Sequence, residues 1–165
     1  MKKISTVVVS LLVAAFCFAA EPVNLLKDPK KPESWRTETH ETAKAKTTVD
    51  DESLKVEITT VDGTDWHVQL VNTGLDLKDG NQYVLKFKAR ADADRQVPIN
   101  AMIDQDDWHQ IGLSETAEIT KDWKTFEYEF KAEQTADKKN RISLILGADK
   151  GAIWLRDVTL TEKGK

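Results

Sequence analysis

Four segments between Thr64 and Glu162 alternate apolar and polar residues with a period of two: TDWHVQLVNTGLDL, GNQYVLKFKARAD, KDWKTFEYEF and GAIWLRDVTLTE. That period belongs to strands that turn one row of side chains to a core and the other to solvent or a ligand. Tyr83, Leu85, Phe87 and Ala89 alternate with Val84, Lys86, Lys88 and Arg90, and Val97, Ile99, Ala101 and Ile103 form a second apolar row after the charged loop 91–95. Nearer the N-terminus, residues 43–49 and 53–59 alternate on either side of Asp50-Asp51, which predicts a hairpin, and Asp79-Gly80 marks a second turn. Residues 123–130, 141–146 and 152–161 read as the last three strands, and 27–31, beside Pro29 and Pro32, as extended coil. Strand follows strand with almost no helix, so the chain is expected to form an all-β sandwich or barrel.

Residues 1–20 have the layout of a secretory leader: Lys2 and Lys3, an apolar run from Ile4 to Phe18, then Ala19 and Ala20 before Glu21-Pro22. Cleavage after Ala19 or after Ala20 fits equally. The run is too short for a spanning helix of about 20 residues, and nothing later is longer and more apolar, so no transmembrane segment is expected. The expected location is secreted or periplasmic. Cys17, the single cysteine, lies inside the leader, so the mature chain is expected to carry neither thiol nor disulfide. The remaining residues 21–165 suit one domain with a packed core.

Loss of Lys2 and Lys3 would lower the formal net charge from −4 to −6. A well-mixed acidic surface repels polyphosphates, so nucleic acid is not an expected partner. The basic run Lys138-Lys139-Asn140-Arg141 reads as a solvated loop. The sequence contains no Gly-x-Ser-x-Gly elbow, no His-Glu-x-x-His and no phosphate loop. Carboxylates are too abundant for any pair of them to signal glycoside hydrolysis. No catalytic residue is assigned.

The order and spacing of several pieces resemble one family. They are Asn24-Leu25-Leu26, Trp35, Trp66-His67-Val68-Gln69-Leu70, Gly80, residues 83–91, Trp123 with Phe130, and Trp154-Leu155-Arg156-Asp157-Val158. Together they look like carbohydrate-binding modules of the family 4/9 type. The resemblance implies a β-jelly roll of two antiparallel sheets that binds a polysaccharide or oligosaccharide, β-glucan or xylan-like, on a concave face without altering it. It also places Trp35, Trp123 and Trp154 as packing residues.

Sugars offer C–H faces that stack on aromatic rings and hydroxyls that pair with planar amide, carboxylate or guanidinium groups. Two segments carry both kinds: residues 65–71, with Trp66, His67 and Gln69, and residues 98–109, with Asn100, Asp104 and Trp108. With Val68 and Leu70 in the core, regular alternation sends Trp66 inward and leaves His67 and Gln69 outward. The resemblance instead makes Trp66 and Gln69 ligand contacts, which requires a strand start or bulge between them. Trp108, set in a polar loop, is the expected stacking platform. Arg90 is a further candidate for the cleft.

The three histidines, His40, His67 and His109, form no zinc pattern. The resemblance implies a structural Ca2+ near the termini with Asp157 as a ligand. The usual Gly-Phe-Glu after Asn24-Leu25-Leu26 is missing, which leaves Asp28 and Glu33 as substitutes. A separate glycoside hydrolase, or another envelope protein docked on the same sandwich, completes the expected partners. Convergence of Gln69, Asn100 and Trp108 on one concave surface would favour glycan over protein.

Overall fold

The structure is a computed structural model and describes residues 22–164. The expected leader lies outside the described residues.

Ten strands form two five-stranded sheets in which every pairing is antiparallel. In chain order they are β1 (Arg36–Thr39), β2 (Lys44–Asp50), β3 (Ser53–Thr60), β4 (Val68–Leu75), β5 (Gln82–Ala91), β6 (Arg95–Ile103), β7 (Gln110–Ile119), β8 (Lys124–Lys131), β9 (Asn140–Ile145) and β10 (Gly151–Glu162). The first sheet runs β1-β4-β9-β6-β7 and the second β2-β3-β10-β5-β8. This is the all-β sandwich read from the period-two segments, in the two-sheet jelly-roll form that the resemblance implies.

The apolar rows meet between the sheets. Val56, Ile58, Leu85, Phe87 and Leu155 from the second face Leu70, Ile99, Ile111, Ile142 and Leu144 from the first, all buried. Phe87 stacks on Phe126 with ring centres 5.2 Å apart, and a buried side chain of this size contributes roughly 1.5–3 kcal/mol. Asn24 ties the N-terminal segment to the last strand: its carboxamide accepts from the amides of Leu26 and Leu160 and donates to the Val158 carbonyl.

Two strands, β1 and β7, go beyond the sequence reading. β1 has only four residues, too few to show a period. In β7 the apolar row Ile111, Leu113, Ala117 and Ile119 is interrupted by exposed Glu115.

Three further expectations need correction. The basic run 138–141 is a solvated loop only at Lys138 and Lys139: Asn140, fully buried, and Arg141, 4% exposed and the expected start of the strand 141–146, belong to β9. Trp123 and Trp154 are half-buried outside the core, whereas Trp35 is buried as expected. Trp154 alternates with the core residues Ile153 and Leu155, so parity turns it to the outer face of the second sheet.

Candidate functional site

The outer face of the first sheet carries a cleft of about 620 Å³, within the size range of small-molecule sites. Register builds its floor. Glu38 of β1 lies opposite Gln69 of β4, which lies opposite Ile145 of β9. One step along, Ser143 pairs with Asn100 of β6, and at the far end Arg141 pairs with Met102. Pro98, Met102 and Ile145 supply apolar lining, while Glu38, Gln69, Asn100 and Arg141 supply polar groups.

Trp66 and Trp108, each nearly half exposed, stand at opposite ends of this floor. Trp66 belongs to a single 3-10 turn, Asp65–His67, that ends where β4 begins. The turn releases Trp66 from strand alternation, so Val68 and Leu70 enter the core while Trp66 faces the cleft. Its ring packs against His40 at 5.3 Å and meets His67 edge-on at 4.2 Å. His67 is itself held by Asp62, 2.8 Å from its Nδ1. Gly147 closes the other side of the turn. Its amide donates to the Asp65 carbonyl at 2.8 Å, and a Cβ there would collide with that oxygen.

Trp108 sits in the β6–β7 loop, where Asp107 and Trp108 both adopt left-handed backbone, φ +45° and +55°. That conformation is costly for residues other than glycine. The loop is pinned by His109, whose Nδ1 lies 2.6 Å from Asp107 and whose Nε2 lies 2.8 Å from the Gln134 carbonyl. The Gln134 carbonyl first, and Asp107 second, hold the His109 pKa above its ordinary value.

Between the tryptophans lies a charge network. Arg36 donates to Glu38 and Asp104, each at 2.7 Å, and the Asp104 contact is the main reason its pKa is raised. Arg141 reaches the same two carboxylates at 3.4 Å, Gln69 Oε1 at 3.5 Å, and the ring centre of Trp108 at 5.0 Å. Arg141 Nε and the Ser143 hydroxyl are buried without a hydrogen-bond partner among the described residues.

Of the seven candidate ligand residues, Trp66, Gln69, Asn100 and Trp108 line the cleft. The Gln69 amide already donates to the Trp66 carbonyl at 3.0 Å. Asn100 accepts from Gln110, which leaves its own N–H donors for a ligand. Asp104 acts on the cleft through Arg141, and His67 through Trp66. Arg90 is not brought there: it projects from β5 in the second sheet, stacked on Trp154. Arg141, Glu38 and His40 were missed as cleft residues.

The calcium ligands do not assemble. Asp28 and Asp157 border one groove with Asn24, but Glu33 is not part of it. Asp28 pairs with Lys31 and Asp157 with Lys88, each at 2.9 Å, and the Asn24 carboxamide is spent on backbone. Among the described residues no three His, Cys, Asp or Glu side chains come close enough to hold a metal ion. These residues do not fit a calcium site.

Solved structures place this architecture. A CBM4 carbohydrate-binding module superposes with a TM-score of 0.71 at 25% identity, covering 87% of this chain and 96% of that one. The second N-terminal cellulose-binding domain of Cellulomonas fimi β-1,4-glucanase C gives 0.67 at 22% identity, covering 90% and 99%. The CBM22-1 xylan-binding domain of Paenibacillus barcinonensis Xyn10C gives 0.58 at 13%, covering 89% and 99%. No curated protein sequence matches the chain. The family model for a carbohydrate binding domain, CBM_4_9, matches residues 28–151, which is most of the sequence, and the chain therefore belongs to that carbohydrate-binding family.

Proposed function

We propose that the cleft on the first sheet binds a β-glucan or xylan-like polysaccharide or oligosaccharide without altering it. Membership of a family of non-catalytic carbohydrate-binding modules supports the class of ligand. The single observation that carries the site is the pair of exposed rings, Trp66 and Trp108, at the two ends of a floor set with amide and guanidinium donors. From Arg141 to Ile145 that floor spans about 13 Å at the usual strand rise, so more than one sugar ring fits between the platforms. The rings would stack on sugar C–H faces, and Asn100 and Arg141 would donate to hydroxyls. Gln69, Asn100 and Trp108 converge on one cleft, the arrangement expected of a glycan reader. Residues 21–165 would act as one such module, secreted by the leader.

Affinity electrophoresis in gels containing soluble cellulose derivatives, mixed-linkage β-glucan or xylan tests this reading. Retardation in one β-glycan class is expected, reduced about tenfold or more by Trp66→Ala or Trp108→Ala and further by the Gln69→Ala, Trp108→Ala double variant. Retardation that survives both tryptophan changes would move the site elsewhere. Absence of binding to every glycan would remove the function.

A further inference from the structure

The outer face of the second sheet has a different chemistry from the cleft. Trp154 on β10 lies opposite Arg90 on β5, and Arg156, two residues on, lies opposite Lys88. The Arg90 guanidinium sits 3.9 Å from the Trp154 ring centre and 5.5 Å from that of Trp123, while Arg156 sits 4.2 Å from Trp123. Because both guanidiniums approach the same indole, they are neighbours. Lys55, on β3, stands 5.6 Å from the other side of the row at Trp154.

Arginine pairing separates this pair from the rest of the chain. The protein has five arginines. Arg36, Arg95 and Arg141 each form an ion pair with carboxylates. Arg90 and Arg156 have neither a carboxylate nor a carbonyl partner among the described residues, and Arg156 Nε is buried without one. Most acidic side chains on this face are already engaged: Glu57 pairs with Lys55, Glu127 with Lys86, Glu129 with Lys163 and Asp157 with Lys88, and Asp50 accepts from the Trp154 indole, while Glu52 borders the groove beside Arg156 without pairing with it. A surplus of donors therefore remains in a chain whose net charge is −4.

Stacking on indole holds a guanidinium flat and fixes its fork of N–H donors, the geometry that matches carboxylate. It also occupies part of both half-buried rings, so each tryptophan offers less of the open face on which a neutral sugar stacks and less of the exposed apolar anchor on which protein interfaces centre. A hydrated polyanion needs neither. We propose that this face is a second binding surface, for a carboxylate-bearing polysaccharide of the uronic-acid type, with Arg90 and Arg156 as its carboxylate readers. The choice of polysaccharide over an acidic protein rests on the carbohydrate-binding family and the partly covered rings. The surface is independent of the cleft and does not require the cleft's ligand to be a β-glucan or xylan.

The test is affinity electrophoresis of the full chain in polygalacturonate gels at low salt, beside gels of the fully methyl-esterified polymer. A net-acidic protein has no general attraction to a polyanion, so retardation reports a local site. Retardation by the acid form, its loss in the ester form and its decline with added salt are expected of the unmutated protein. Arg90→Gln with Arg156→Gln, checked for native near-UV circular dichroism, should weaken binding about tenfold or more, whereas Trp108→Ala should leave it intact. Four results would overturn the proposal: no retardation by the acid polymer, equal retardation by the ester, abolition by Trp108→Ala, or competition by poly-glutamate as strong as by polygalacturonate. The third would place the acid chain in the cleft. The fourth would show a surface that reads carboxylates on any polymer.

Discussion

The guanidinium of Arg141 lies 5.0 Å from the ring centre of Trp108, so a buried cation on β9 supports the exposed indole in the β6–β7 loop. Two carboxylates, Glu38 and Asp104, flank that cation and are shared with Arg36. The network fixes the end of the cleft where Trp108 stands. Removing its centre should therefore affect both stability and binding. Arg141→Met is expected to cost about 2 kcal/mol, since Arg36 still pairs with both carboxylates and only part of the penalty for breaking a buried ion pair falls due. Urea unfolding would measure the loss, and glycan affinity should fall in the same variant. Unchanged stability together with unchanged affinity would show that Arg141 is neither support nor contact.

Much of the fold can be read in period-two rows, and the cleft only in part. Residues 83–91 and 97–103 alternate without interruption, so their inward faces follow from parity alone. Arg141 is legible as the start of a strand but not as a cleft residue, because it ends the basic run Lys138-Lys139-Asn140. Only its register beside Thr73 on one strand and Met102 on the other places it on the cleft floor. Arg90 shows the converse. Its parity, outward and opposite Ala89, was legible, but local alternation does not say which of two sheets a strand joins. Trp66 escaped parity because a 3-10 turn, which has no period of two, holds it.

That turn depends on a residue across the chain. Gly147 lies against Asp65 so closely that a methyl group would strike the carbonyl oxygen, and neither backbone can give way without disturbing the bonds from Gly147 N to Asp65 O and from Leu146 N to Val68 O. Gly147→Ala should destabilise the protein by roughly 1–3 kcal/mol, as overpacking does. It should also shift Trp66 off His40 and His67. Chemical unfolding and the fluorescence of a variant retaining only Trp66 would report the two effects. An alanine variant of native stability with unchanged emission would show that the turn accommodates the methyl group.

Calcium should not matter to this module. The carboxylates expected to bind it do not gather into a set, and the Asn24 carboxamide already joins the N-terminal segment to β10 through three backbone contacts. A ligand that binds only the native state stabilises it by an amount that grows with the logarithm of its concentration above Kd, so the melting temperature rises with ligand concentration. Thermal unfolding in millimolar calcium and in chelator should give the same midpoint. A rise of several degrees with calcium would reveal a site built from other oxygens.

Asn24→Ala, by contrast, should loosen the terminus whether or not calcium is present. The change removes two acceptor contacts and one donor contact, each worth about 1 kcal/mol. Hydrogen exchange at Leu26 and Leu160 should quicken relative to the core strands. Unaltered protection at both amides would mean that packing of Leu26, not the carboxamide, secures the segment.

His109 makes the Trp108 loop sensitive to pH. Its two ring nitrogens face two acceptors, the Asp107 carboxylate and the Gln134 carbonyl. A neutral imidazole has one N–H and can satisfy only one of them, whereas the imidazolium satisfies both. The Gln134 carbonyl, then Asp107, accordingly raise the His109 pKa above its unfolded value, while Asp107 is held below the ordinary carboxylate range chiefly by His109. For a group whose folded pKa is raised, the stabilisation is complete below the unfolded pKa, about 6.5, and is lost as pH rises through the folded value. The loop should thus be firmest in mildly acidic solution and loosen toward alkaline pH. Emission from Trp108, followed from pH 5 to 9 in a variant retaining that tryptophan alone, should show a single transition above pH 6.5 that His109→Gln abolishes. Glycan affinity should weaken across the same range. A flat profile in the unmutated protein, or the same transition in His109→Gln, would show that this histidine does not set the loop.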